Sequence, residues 1–335
     1  MKFGRISRES PDGAIARLVV VEPEKGRVID LARAGALHAM GKRNATQAAA
    51  VRLAQAQFPG SMAQALGASD ILVEAATEVI QGSYGDDASL DINEVTWMAA
   101  SDPPVLRDGL TFIGHIKGWH ERMNREVPDS MLLIPGFTKN SASTVIGHNS
   151  VVPWPGYIKT KMDYELELGY VIGREGASVR PDEAMNYVFG ITLYNDFSGR
   201  DLQHNELPIG MGSTKSKDFA HAIGPWITTL DEFKDLDAIP MEVRVNGETW
   251  GKGNSGGKLW TVAELVAYVS LGEKILPGDV IGSGTMGGGS ALELGRELKP
   301  GDVVELEAGG VGVLRTTMGQ PIEGLWWPER RKPFM

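Results

Sequence analysis

The chain has 335 residues, 42% hydrophobic and 23% charged, with 33 Lys plus Arg against 43 Asp plus Glu for a formal charge of −10. This composition excludes a disordered chain and leaves room for one large domain and a smaller one. The acidic balance argues against nucleic acid and anionic membranes as partners, and the absence of cysteine excludes disulfides, thiolate nucleophiles and thiolate zinc sites.

Along the chain, MKFGRISRES lacks the apolar centre of a secretory signal, and no uncharged apolar run approaches the ~20 residues that span a bilayer. A cytoplasmic protein is expected. KFGRI, ARLVVVE and GRVIDL read as short strands. From Asp30 to about Ile80, helix formers recur at helical spacing, with Pro59-Gly60 separating two segments. A stretch rich in Gly, Asp and Pro follows and marks a boundary near residue 105. Residues 1–105 are therefore expected to form a small α/β domain and residues 106–335 a larger, mainly β one, an α+β fold overall. In the larger part LTFIGHI, ELELGYVIG, NYVFGITLYND, MEVRVNGETW, DVIGSGTM and DVVELEAGGVGVLRTTM read as strands. Asn246-Gly247 is a strong hairpin signal, and Thr261 with Glu264 predicts a capping box on the helix TVAELVAYVS.

The stretch MDYELELGYVIG, residues 162–173, carries the clearest chemical signal. Side chains alternate across a strand, so Asp163, Glu165 and Glu167 share one face and Tyr164, Leu166, Leu168 and Tyr170 the other. Such a row of acids is either a solvated face or a face that holds a cation. The next acid ending an apolar strand is Asp196, in YNDFSGRDLQ, where an Asx turn is the plain alternative. Glu165, Glu167 and Asp196 together would make an all-oxygen site suited to Mg²⁺, Mn²⁺ or Ca²⁺ rather than zinc. Lys217 precedes an apolar strand, and Thr285 opens a glycine run that lacks the Lys-Ser/Thr of a phosphate loop. Of the six histidines, His120 lies just beyond an expected strand.

Taken in order, MDYELELGYVIG, YNDFSGRDLQ, GPWI after Lys217, VNGE, TVAELVAYVS and PGDVIGSGT resemble the fumarylacetoacetate hydrolase family over most of residues 109–320. The resemblance implies a mixed β-roll or β-sandwich catalytic domain and a homodimer. It implies Glu165, Glu167 and Asp196 as ligands of Mg²⁺, with Mn²⁺ or Ca²⁺ as substitutes, and Lys217 beside them. It also implies Gln203 and Thr285 as substrate contacts, His120 as the histidine that activates water, and Glu293 of SALELG as its partner, since Met123 stands where smaller members carry an assisting glutamate. Three departures accompany it. Ile113 takes the place of a fourth acid seven residues before the histidine, His115 replaces a substrate-binding tyrosine, and Leu207 replaces another.

The expected activity is metal-dependent hydrolysis of a carbon–carbon bond in a 1,3-diketo acid such as an acylpyruvate, a small-molecule substrate. Hydratases, isomerases and decarboxylases of 2-keto acids belong to the same family; the pairing of His120 with Glu293 favours hydrolysis, because decarboxylation needs no activated water. A glycosidase is excluded, because two acids two residues apart on one strand cannot flank a sugar. A divalent-ion-binding protein without activity is the alternative outside enzymes.

Overall fold

The computed structural model describes residues 1–11, 13–81 and 83–332, so the last three residues of the expected 106–335 unit lie outside it. Strand outweighs helix. A twelve-stranded sheet forms the centre, and its main path runs Ser89–Asp91, Arg27–Asp30, Ile15–Glu22, Lys2–Arg8, His221–Thr229, Val188–Asp196, Leu166–Ile172, Val280–Gly282, Leu106–Leu110, Gly136–Asn140. The path crosses position 105: Lys2 and Phe3 pair with Thr228 and Ile227 in antiparallel register. The N-terminal strands thus extend the sheet of the second part.

The two faces of this sheet are covered differently. On one, helices Leu31–Arg43, Met62–Leu66 and Ser69–Ile80 bury Leu31, Leu66, Leu72 and Val79 against Phe3, Ile29, Val171 and Val280. On the other lies a five-stranded sheet of Glu248–Asn254, Pro240–Val245, Val303–Ala308, Gly312–Ile322 and Val151–Pro155, whose Val243, Leu306 and Leu314 join a core containing Leu168, Tyr170 and Ile172. The strand Leu166–Ile172 is therefore buried throughout. Its even-numbered residues enter one core, and Val171 enters the other. No face of it is left for water.

Local signals hold where a turn or cap is involved. Val245 pairs directly with Glu248 across Asn246 and Gly247, both at positive φ (52° and 79°), the geometry of a two-residue hairpin turn. The capping box on Val262–Val269 is reciprocal: the Thr261 hydroxyl accepts from the Glu264 amide, and the Glu264 carboxylate accepts from the Thr261 amide.

One expected strand is instead divided. LTFIGHI contributes only Leu110 to the strand Leu106–Leu110, and a helix spans Ile113–Arg122. Phe112, Ile116 and His120 recur every fourth residue, and His115 also faces inward. That helical spacing overrides the short β-like run. Both histidines consequently sit on one helix beside the end of a central strand.

Candidate active site

Four carboxylates meet where neighbouring strands of the large sheet come together. Asp108, Glu165, Glu167 and Asp196 each offer an oxygen within 4.8 Å of the others; Glu165, Glu167 and Asp196 are buried, and the Asp108 side chain is 11% exposed. Their convergence follows from register. Glu167 opposes Tyr194, one turn of the pleat from Asp196, on one side; Gly169 opposes Gly282 on the other, and Gly282 in turn pairs with Asp108. Gly282 leaves the space between: a Cβ there would stand 2.7 Å from Glu167 Oε2 and 2.7 Å from the Tyr194 ring. The donor set is oxygen only, which fits Mg²⁺, Mn²⁺ or Ca²⁺ and disfavours zinc.

The surrounding cations explain how such a cluster folds. Lys217 Nζ donates to Glu165 Oε2 at 2.5 Å and to Asp196, and lies 3.6 Å from Asp108 Oδ2. Burial opposes the charge on Lys217, but Asp196, Glu165 and Asp108 outweigh it and raise its pKa well above the ordinary value. Burial likewise opposes ionisation of Glu165, yet Arg200 and Lys217 hold its pKa at about 2. Asp196 is also held low, against its burial, by Lys217 and His221. Asp108 and Glu167 go the other way: burial and the neighbouring carboxylates push both well up. The pocket thus contains two carboxyls that a dication would help to ionise.

Asp163, the third acid of the row, has a different task. Its carboxylate accepts from the Ala291 amide at 2.7 Å and the Leu292 amide at 3.3 Å, at the start of the helical turn Ala291–Leu294. It also accepts from Arg200 Nε at 2.8 Å, and Arg200 continues to Glu165 (2.7 Å) and Gln203 (3.0 Å). Asp163 therefore ties the turn that carries Glu293 to a carboxylate of the cluster.

The histidine beside Glu293 is His115. Its Nδ1 lies 2.9 Å from Glu293 Oε2 and its Nε2 3.8 Å from Glu165 Oε1, so the ring spans the two carboxylates. Glu293 is itself held by the Gly288 amide and the Ser290 hydroxyl. His120, the histidine expected there, turns Nδ1 to the Ile116 carbonyl at 2.7 Å, the one-turn contact of its own helix. Asp108 stands seven positions before His115, the spacing that from His120 pointed to Ile113. The fourth acid of the cluster is thus Asp108, and the histidine in contact with Glu293 is His115. Ile113 only begins the helix.

Thr285 and Gln203 both border the cavity over the cluster, with Lys217, His115 and His120. The Thr285 hydroxyl donates to Glu167 at 3.3 Å, and Gln203 donates to Ser213 at 3.1 Å. Glu206 braces the segment that presents Lys217, accepting from the amides of Thr214, Lys215 and Ser216 and from the Ser216 hydroxyl.

Residues 104–319 match the model of the fumarylacetoacetate (FAA) hydrolase C-terminal domain. A protein of Methanocaldococcus jannaschii is 33% identical over 253 residues, covering 75% of this chain and 94% of its own length. Two solved structures share the fold. Maleylpyruvate hydrolase from Sphingobium sp. SYK-6, in complex with manganese(II) and pyruvate, has a TM-score of 0.67 at 20% identity, over 96% of this chain and 100% of that one. The 5-carboxymethyl-2-hydroxymuconate delta-isomerase from Mycobacterium smegmatis has a TM-score of 0.64 at 22% identity, over 95% and 99%. The chain belongs to the fumarylacetoacetate hydrolase family.

Two outcomes follow for the site. Asp108→Asn is expected to weaken Mn²⁺ binding at least ~10-fold, the lower end of what removing a supporting group costs; calorimetry showing unchanged affinity would remove Asp108 from the ligand set. For Glu206, burial opposes ionisation, but hydrogen bonds from Ser216 and Thr214 prevail and lower its pKa. Its stabilisation is therefore present above the unfolded value of ~4.3 and is lost as pH falls through the lower folded value. Glu206→Gln should be about 1–3 kcal/mol less stable than the parent at pH 7, with the gap closing in acid, as urea unfolding at the two pH values would show.

Proposed function

We propose that the protein is a metal-dependent hydrolase that cleaves a carbon–carbon bond in a 1,3-diketo acid. The observation that carries this reading is the His115 ring, held between Glu293 and the carboxylate cluster. Glu293 is a pure acceptor when ionised, so Nδ1 carries the proton and Nε2 is left free to take one from water. Glu293 then stabilises the imidazolium that forms, the division of labour seen whenever a carboxylate orients a catalytic histidine. The water oxygen bonds to the ketone carbon, the bond from that carbon to its neighbour breaks, and the electron pair leaves with the departing fragment as an enolate. His115 returns the proton to that fragment, so one water is added across the broken bond.

A divalent ion, Mg²⁺ or Mn²⁺, held by Asp108, Glu165, Glu167 and Asp196, would supply binding of the substrate's paired oxygens and stabilisation of the enolate charge. Lys217, which borders the same cavity, stabilises the oxyanion that forms on attack, and Thr285 and Gln203 bind the polar keto-acid end. An isomerase or decarboxylase would use the same enolate stabilisation without an activated water, and the His115–Glu293 pair favours hydrolysis over both. The same reading includes a homodimer in the cytoplasm; Trp326, 83% exposed, supports association of two copies. Sedimentation at micromolar concentration should give a mass above the 36.1 kDa of one chain, and a clean monomer would exclude the dimer.

His115→Ala should lower turnover of an acylpyruvate by ~10²–10⁴-fold while Mn²⁺ affinity stays at the parent value. His120→Ala should have a much smaller effect. Parent-level activity in His115→Ala would mean that no water is activated here, and would move the protein to the isomerases or decarboxylases.

A further inference from the structure

We infer that the acyl end of the substrate, remote from the keto acid, is an apolar alkyl or aryl group and not a second carboxylate. The inference rests on the hydrolase reading for the reacting half and on the cavity wall for the other half. The cavity holds about 340 Å³. Its carboxylates are buried or nearly so, whereas most of its apolar wall is partly open to solvent, so the charged groups form the floor and the apolar ones the approach. Leu110, Ile116, Trp119, Met131, Phe137 and Leu207 make up that wall.

A remote carboxylate would need a cation there, and the bordering residues offer none to spare. Their permanent cations are Lys217 and Arg200. Lys217 is engaged by Glu165 and Asp196, and Arg200 by Asp163, Glu165 and Gln203. Among the neutral polar groups of the approach, Thr138 donates to Asn140 and His120 turns Nδ1 to the Ile116 carbonyl. The donors left over, such as the Ser213 hydroxyl that accepts from Gln203 and the Trp119 indole N–H, carry no charge. Neutral donors offer a carboxylate less than the permanent cation its burial calls for. Burying an unpaired carboxylate against such a wall is costly, while each methylene laid on it gains.

The test is a series of acylpyruvates assayed with Mn²⁺: straight-chain alkyl acyl groups of increasing length, a phenyl-ended one, and a fumaryl-type one ending in a carboxylate. The expected result is a rise in kcat/KM of about fourfold per added methylene until the wall is covered. The carboxylate-ended substrate should fall at least ~10-fold below the phenyl-ended one. Leu207→Arg, a change at a partly exposed position, should narrow or reverse that order by supplying the missing cation. Equal or better handling of the carboxylate-ended substrate by the parent protein would overturn the inference and leave the hydrolase reading intact. If no diketo acid is cleaved, that reading fails, and binding still decides this one. Two uncleavable 2-keto acids of equal length, one phenyl-ended and one carboxylate-ended, are titrated calorimetrically with Mn²⁺ present. Tighter binding of the phenyl compound supports the inference, and tighter or equal binding of the dicarboxylate overturns it.

Discussion

Four carboxylates within 4.8 Å of one another, nearly out of reach of bulk water, repel by an amount that shapes everything near them. Two like charges 4 Å apart cost ~4 kcal/mol at an effective dielectric constant of 20. Three devices contain that repulsion. Lys217 is inserted among the oxygens, Arg200 bridges Glu165 to Asp163, and Asp108 and Glu167 have pKa values displaced upward by burial and by their neighbours. The segments that deliver these partners are themselves pinned: Glu206 gathers the amides before Lys217, and Asp163 caps the turn before Glu293. The catalytic geometry inferred for His115 is therefore a by-product of charge balance. Arg200, which neutralises Glu165, also reaches through Asp163 to the turn that carries the histidine's partner.

The Asp163–Arg200 pair shows how far this coupling reaches. Both groups are buried, and breaking such a pair from one side leaves an uncompensated charge, which is far more damaging than losing the pair outright. Because Arg200 also holds Glu165 and Gln203, the strand end, the cavity-lining glutamine and the helical turn bearing Glu293 are mechanically one object.

Much of this was legible from the residues. Period-two alternation put Glu165 and Glu167 on one face, and the acid closing an apolar strand pointed to Asp196; those signals depend only on local geometry. Asp108 is not legible because a single acid inside LRDGL has no like neighbour to betray it, and the strand-like run LTFIGHI masks the helix Ile113–Arg122 that brings His115 to Glu293. A helical count from Phe112 puts His115 in the first inward turn. The solvated-face reading of the acidic strand fails for a reason that lies outside the strand: helices cover one side of the sheet and a second sheet the other. The cavity wall was beyond reach, since Met131, Phe137 and Leu207 come from separate segments that only tertiary packing brings together.

The pairing of Lys2–Arg8 with His221–Thr229 bears on modularity. The family-matched region begins at residue 104, and the strand that flanks Asp196 has its far side closed from two sources: by Val145 and Ile146 against His221 and Ala222, and by Lys2 and Phe3, outside that region, against Thr228 and Ile227. A segment cut free at 104 would present the Ile227–Thr228 end of this strand as an open edge, the kind of margin on which sheets of separate chains add to one another. The N-terminal strand thus closes the stretch of edge at which strand-to-strand self-association would otherwise start.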